Sequence, residues 1–137
     1  MNSSRLWTDV LLLLLLATLS LPGCGRRGNT PIAGLVTLEN GAPLVNATVT
    51  FHGEDQKSYV VKTDADGRYI AMTDSQTQGL PPGKYAVTVH EALGDDIDAR
   101  PVPNIHPKYT YSDSTDLSLV VADQPLETDF TLAPPKR

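Results

Sequence analysis

The feature that most constrains this chain is a two-residue alternation of apolar and polar side chains, repeated between residues 32 and 132. Gly, Pro, Asn or Asp interrupts the alternation roughly every 8 to 15 residues, and no apolar stripe of period 3.6 reaches the length of a helix. This pattern predicts an all-β, seven-stranded β-sandwich, with antiparallel pairing because the connections are short. The predicted strands are residues 32–38, 47–51, 58–63, 68–73, 84–90, 117–121 and 126–132, and the predicted core includes Val49, Phe51, Tyr85 and Val87.

Two short polar stretches are predicted as turns. Asn40-Gly41 carries the strongest two-residue hairpin signal, in which both positions need a positive φ. Residues 64–67, with the sequence DADG, begin like a calcium loop, but the fifth position of that loop is an arginine and the twelfth a serine. We therefore predict a tight turn, in which the aspartate accepts backbone N–H groups and Gly67 supplies a positive φ.

The first 23 residues differ in character from the rest. One cation, Arg5, precedes an apolar run over residues 10–21 that contains six consecutive leucines. The run is shorter than the roughly 20 residues that a membrane-spanning helix needs. A positive head, a short apolar run and a small-residue exit are typical of a secretory signal peptide. We therefore predict that residues 1–23 are a signal peptide and that the protein is exported.

The only cysteine, Cys24, follows this run after Pro22 and Gly23. The stretch Leu21-Pro22-Gly23-Cys24 resembles the lipobox of bacterial lipoproteins; an ordinary signal peptide with an incidental cysteine is the alternative. The resemblance implies cleavage before Cys24 and a membrane-lipid anchor on its thiol, with acyl chains such as palmitate. Two or more chains give stable anchoring. Gly25, where the sorting pattern of enteric diderms has Asp for the inner membrane, favours the outer membrane.

The mature chain is predicted as a tether over residues 24–31, one domain over residues 32–133 and a disordered tail over residues 134–137. The tether contains no large apolar side chain. The formal net charge of the whole chain is −5 at pH 7. Because nucleic-acid binding needs clustered Lys and Arg, this charge argues against a nucleic-acid partner.

Three stretches, in chain order, resemble one known family: GLVTLENGAPLVNATVTFHG, KTDADGRYIA and GLPPGKYAVTVHEA. The family is the carboxypeptidase regulatory-like, or transthyretin-like, β-sandwich domain. The later stretch VPNIHPKYTYSDSTDLSLVV resembles a segment of small planctomycete lipoproteins of this type. The resemblance implies a scaffold and no chemistry, since related modules are accessory or adhesive. The matching positions are Gly34, Val36, Gly41, Pro43, Leu44, Ala47, Val49, Phe51, Thr63, Asp64, Gly67, Tyr69, Pro82, Gly83, Tyr85 and Val87.

Few side chains suit catalysis. His52, His90 and His106 lack the HxH or HxxxH spacing that preorganises a metal site, and no Gly-x-Ser-x-Gly elbow occurs. We therefore predict a non-catalytic binding or structural module without a cofactor. A metal-dependent enzyme that uses two of these histidines with a carboxylate is the less favoured alternative.

Residues 91–116 contain no convincing strand, and structureless loops of this length are often functional. Their aromatic and polar side chains predict a partner or ligand loop, for an envelope protein or a glycan bound through exposed tyrosines. The favoured alternative is that Ile105 and Tyr109 fold back over an open end of the sandwich. For the acidic part of this segment, residues 94–98, a solvated turn is favoured over calcium binding. The candidate loop residues are His106, Lys108, Tyr109 and Tyr111, and the calcium candidates are Asp95, Asp96 and Asp98.

Overall fold

The structure is a computed structural model that describes residues 28–92 and 102–136. Over these residues the chain forms two four-stranded sheets, so the prediction of an all-β sandwich is confirmed. One short 3-10 helix, η1, is present in addition to the strands. In chain order the elements are β1 (Ile32–Leu38), β2 (Thr48–Gly53), β3 (Ser58–Lys62), β4 (Arg68–Ile70), β5 (Gly83–His90), η1 (Pro107–Thr110), β6 (Ser118–Val121), β7 (Leu126–Glu127) and β8 (Phe130–Leu132).

The two sheets differ in how their strands pair. One sheet has the order β3-β2-β5-β6 and is antiparallel throughout. The other is built on β1, which pairs antiparallel with β4 on one side and parallel with β7 and β8 on the other. The prediction of antiparallel pairing is therefore confirmed for β1 with β4 and wrong for β1 with β7 and β8. A parallel pair needs a long crossover, and the whole domain between its first and last strands provides one.

The predicted last strand, residues 126–132, is split into β7 and β8, which raises the strand count from seven to eight. At the break, the Asp129 side chain replaces a backbone carbonyl in the ladder and accepts the Leu35 N–H at 2.8 Å. The Thr128 carbonyl instead accepts the Tyr69 hydroxyl at 2.7 Å. This carbonyl occupies the space where a Cβ on Gly34 would lie. Gly34 is required because the broken strand approaches β1 so closely.

The core lies between the two sheets. Val49, Phe51, Tyr85 and Val87 are all buried, as the alternation predicted. The ring of Tyr69 lies 5.8 Å from that of Phe51 and 5.9 Å from that of Phe130, measured between ring centres. The first contact joins the two sheets, because Phe51 belongs to β2 and Tyr69 to β4, whereas Tyr69 and Phe130 lie on β4 and β8 of the same sheet. Aromatic pairs of this kind add about 0.5–1.5 kcal/mol each beyond their buried area.

The Asn40-Gly41 turn is present but differs from its prediction. Gly41 has a φ of 84°, whereas Asn40 is not in the positive-φ region. The Gly41 N–H donates to the Leu38 carbonyl at 2.9 Å, and the Leu38 N–H donates to the Ala42 carbonyl at 2.8 Å. The chain then leaves β1 and crosses to the other sheet, so β1 and β2 are not hairpin partners.

The prediction of a tight turn at residues 64–67 is confirmed. The Asp64 carboxylate accepts the N–H groups of Asp66 at 2.9 Å and Arg68 at 2.8 Å. Gly67 has a φ of 76°. The turn therefore satisfies the aspartate through backbone donors, which is the role that Asp commonly has in turns.

Candidate functional site

Residues 102–116 close one end of the sandwich, which we call the far end: the end at which β1, β5 and β8 finish. Ile105 and Tyr109 are buried there, at 2% and 4% exposure. The His106 N–H donates to the Ala133 carbonyl at 2.8 Å, and the Ala133 N–H donates to the Tyr109 hydroxyl at 3.1 Å. The favoured interpretation of Ile105 and Tyr109 as cover is confirmed. As a correction to the glycan hypothesis, Tyr109 is not an exposed aromatic.

The local sequence explains the helix η1. Pro107 begins it, where the missing N–H costs nothing. The Nδ1 atom of His106 accepts the Lys108 N–H at 3.1 Å and caps the first turn. The Lys108 ammonium lies 2.7 Å from the Asp116 carboxylate and 4.7 Å from the centre of the Tyr109 ring. The hydrogen bond from Lys108 lowers the pKa of Asp116, and the same bond raises the pKa of Lys108.

The four candidate loop residues therefore have different surroundings. Tyr109 is buried, His106 and Lys108 are half-buried, and Tyr111 is 65% exposed. Their use in partner or ligand binding stays a prediction. Among them, Tyr111 offers the large exposed surface that an aromatic contact requires.

A cleft lies beside this segment at the far end and was missed by sequence reasoning. Its volume is about 540 Å³. The Glu91 carboxylate supports one wall, because it accepts the backbone N–H and the side-chain amide of Asn104, both at 2.8 Å. No sequence signal predicts the cleft, since its walls come from three distant parts of the chain. The lining residues are Leu38, Glu39, Asn40, Val102, Pro103, Asn104, Pro134 and Pro135.

The histidines do not assemble into a metal centre. His52 is half-buried, with Nδ1 at 3.1 Å from the Ser58 hydroxyl and Nε2 at 3.0 Å from the Thr88 hydroxyl. His90 is exposed on β5, and His106 caps η1. Within residues 28–92 and 102–136 no three His, Cys, Asp or Glu side chains are grouped to hold a metal ion. Nothing there arranges His52 with a second histidine for metal-dependent chemistry.

Several predicted features lie outside the described residues. These include the signal peptide, the lipidation site Cys24 and the calcium candidates Asp95, Asp96 and Asp98. In the part of the chain that the structure describes, no helix is long and apolar enough to cross a membrane.

Two buried tyrosines have scaffold roles. The Tyr69 hydroxyl donates to Thr128, and the Tyr85 hydroxyl donates to the Pro81 carbonyl at 2.7 Å. Burial, with a smaller contribution from the Asp129 carboxylate, raises the pKa of Tyr69 well above its ordinary value. Burial also raises the pKa of Tyr85 to about 12. Both hydroxyls are thus protonated donors to backbone carbonyls at neutral pH.

The fold and the far end together define a β-sandwich module whose sequence motifs serve its scaffold. The sequence model of the carboxypeptidase regulatory-like domain matches residues 31–133, and the chain belongs to this family. Domains of this family are non-catalytic.

Among solved structures, the major pilin subunit of Bacillus cereus is similar, with 15% sequence identity and a TM-score of 0.40. The similar region covers 77% of this chain and 28% of the pilin chain, so this chain spans little more than a quarter of the pilin's length. The comparison with curated proteins gives no match.

Proposed function

We propose that this protein is an exported lipoprotein, held in a membrane of the cell envelope through acylated Cys24, whose β-sandwich is a non-catalytic binding or structural module. The lone cysteine at the end of a signal-like apolar run supports the anchor. The carboxypeptidase regulatory-like domain, which begins at residue 31, supports the non-catalytic role. By its resemblance to sorting patterns, Gly25 favours the outer membrane.

The direction of β1 carries the functional part of this proposal. The chain enters the domain at Thr30, whose N–H donates to the Leu80 carbonyl at 2.8 Å. From this near end, the seven residues of β1 run to the far end, a rise of about 20 Å. The six residue steps from Cys24 to Thr30 span at most about 22 Å, close to the length of β1. In this proposal a short tether therefore joins the anchor to the near end, and the module presents its far end away from the membrane.

The far end has features that suit a ligand. Five of the eight lining residues of the cleft are Leu, Val or Pro, and Glu39, Asn40 and Asn104 are polar groups that can fix an orientation. Val102, at its rim, is 84% exposed. An envelope protein suits this apolar cleft. For a glycan ligand, Tyr111 is the exposed aromatic side chain on which a sugar ring can stack, since Tyr109 is buried.

The anchor is tested with Cys24→Ser in cells labelled with an alkyne fatty acid. We expect the unaltered protein to be labelled and to fractionate with membranes. Cys24→Ser is expected to lose the label and to be soluble or uncleaved. Asn29→Ser, in the tether, is the matched control and keeps both label and location. A processed Cys24→Ser protein that stays in the membrane contradicts lipidation at Cys24.

The orientation is tested by cross-linking in intact cells. A photo-reactive phenylalanine analogue replaces Val102 at the far end or Gln124 at the near end, both exposed. Conjugates with envelope components are expected from position 102 and few from position 124. Equal yields from the two positions contradict the assignment of the far end as the presented surface.

A further inference from the structure

Over the residues that the structure describes, the sandwich has four sheet edges, and three of them are short, interrupted or partly occupied. β4 has only three residues, and Asp64 binds both backbone groups of Arg68 on it. The Asp64 N–H donates to the Arg68 carbonyl at 2.9 Å, and the Asp64 carboxylate accepts the Arg68 N–H. At the β7–β8 edge, the strand is broken at Thr128 and Asp129. β6 has four residues. The Thr30 hydroxyl donates a hydrogen bond to the Ala122 carbonyl, directly beyond the end of β6. Short or interrupted edges resist pairing with another chain.

The edge of β3 is different. It pairs with β2 over all five of its residues, without a bulge or a proline. The Gly53 N–H donates to the Lys57 carbonyl at one end of the β2–β3 pairing, and the Thr63 N–H donates to the Ala47 carbonyl at the other end. Because hydrogen-bonded pairs alternate along the strands, Tyr59 and Val61 are the residues of β3 that bond to β2. In an antiparallel pair the alternate residues point away. The backbone groups of Ser58, Val60 and Lys62 therefore face outward, and none has a hydrogen-bond partner among the described residues.

Side chains beside this edge form a recognition surface. A groove of about 680 Å³ runs beside β3 and β4, and its charged lining residues are Lys62, Asp64, Arg68, Glu127 and Asp129. Val60 is 58% exposed and Ile70 is 50% exposed. Neither Lys62 nor Arg68 has a salt bridge in the described part of the chain.

We propose that the β3 edge docks an extended segment of a partner polypeptide, which adds a fifth strand to the β3-β2-β5-β6 sheet. Backbone groups of Ser58, Val60 and Lys62 hold the segment, as in other cases of strand addition. Its apolar side chains on the outer face of the sheet lie against Val60, which is 58% exposed. An acidic side chain on the same face meets Lys62, which has no salt bridge within the described residues.

A second copy of this chain is the less suitable occupant. Two copies joined symmetrically at this edge pair antiparallel about Val60. Because β3 runs along the axis between the two ends, that pairing places the two Thr30 ends at opposite poles. The two copies then cannot both be anchored in the same membrane. The choice of a partner polypeptide over a second copy therefore rests on the proposed anchor. The strand addition itself does not depend on the anchor.

The test uses the full chain in detergent and an acetylated, amidated peptide, Thr-Val-Thr-Glu-Thr-Val-Thr, as the probe; its valines and glutamate share one face, as Val60 and Lys62 do. Amide hydrogen exchange at Ser58, Val60 and Lys62 is expected to slow several-fold with millimolar peptide. The amides of Ser118 and Val120, on the edge of β6, are expected to stay unchanged. The same peptide with alternate N-methyl groups, which remove its donors, is expected to give no protection.

Two variants separate edge pairing from side-chain contact. Val60→Pro removes the outward N–H and leaves the bonds to β2 intact, a position that a sheet edge tolerates. Val60→Thr keeps that N–H and a β-branched side chain. Protection is expected to survive in Val60→Thr and to vanish in Val60→Pro, with both melting as folded proteins. The proposal is overturned if the peptide gives no protection, or if the methylated peptide protects equally. If protection increases with protein concentration in the absence of peptide, the occupant of the edge is a second copy of the chain and not a partner polypeptide.

Discussion

At the scale of single residues, Gly34 and Tyr69 show why the family motifs have their form. The Thr128 carbonyl turns out of the ladder toward β1, where it fills the place of a Cβ on Gly34 and accepts the Tyr69 hydroxyl. The two motif residues, distant in sequence, therefore hold one irregular feature of the last strand. Neither contacts the candidate cleft, which is consistent with a scaffold role for both.

Gly34→Ala is expected to destabilise the domain by about 3 kcal/mol, the upper part of the range for overpacking a filled site. The obstacle is backbone, so no side chain can move aside. Gly28→Ala is the matched control, because a Cβ there meets nothing within 4 Å. The measurement is urea unfolding of both variants beside the unaltered protein. Equal midpoints for the two variants contradict the close approach of Thr128.

Stability is expected to fall as the pH rises above about 10, the ordinary pKa of tyrosine. The pKa of Tyr69 and that of Tyr85 are both raised in the folded state, mainly by burial. A raised pKa gives stability that is complete below the unfolded value and is lost as pH approaches the folded value. Tyr69→Phe is expected to reduce this alkaline slope, while Tyr111→Phe, at an exposed position, leaves it unchanged. Unfolding free energies between pH 8 and 12 provide the measurement, and identical slopes for both variants contradict the assignment.

At the scale of elements, the segment around η1 is part of the core and also the border of the cleft. Ile105 and Tyr109 seal the far end, while Val102 and Tyr111 on either side remain exposed. The covering interpretation and the recognition hypothesis therefore apply to different residues of one segment. A partner can contact the exposed residues without disturbing the buried ones.

Tyr109→Ala is expected to cost about 3–5 kcal/mol, as for other large aromatic side chains removed from a core. The substitution also removes the acceptor of the Ala133 N–H. Tyr111→Ala is expected to change the unfolding free energy by no more than about 0.5 kcal/mol, because its side chain is exposed. Thermal or urea unfolding compares the two. A small loss for Tyr109→Ala shows that η1 does not seal the core.

At the scale of the whole molecule, the sandwich depends on the contrast between its inner and outer faces. Val49 is fully buried between Val61 and Val89, whereas Val120 on β6 is 64% exposed. Two valines in strands of the same sheet thus have opposite surroundings. Substitutions at these positions test the register of the sheet.

Val49→Asp is expected to unfold the domain, since an unpaired buried charge costs several kcal/mol, comparable to total stability. Val120→Asp carries the same substitution on the outer face and is expected to melt within a few degrees of the unaltered protein. Circular dichroism at 25 °C and during heating distinguishes the two outcomes. Unchanged melting of Val49→Asp places that residue on the surface and inverts the register.

The alternation by itself determined the sandwich, because a period of two places Val49, Phe51 and Val87 on one face wherever their strand lies. Local chemistry likewise determined the turn at Asp64 and Gly67, whose hydrogen bonds stay within five residues. Tertiary structure alone decided the parallel pairing of β1 with β7 and β8, since alternation shows which face is buried and not which strand is the neighbour. It also decided the cleft and the open β3 edge, because Leu38, Val102 and Pro134 meet only in space, and an edge exists only when no other strand covers it.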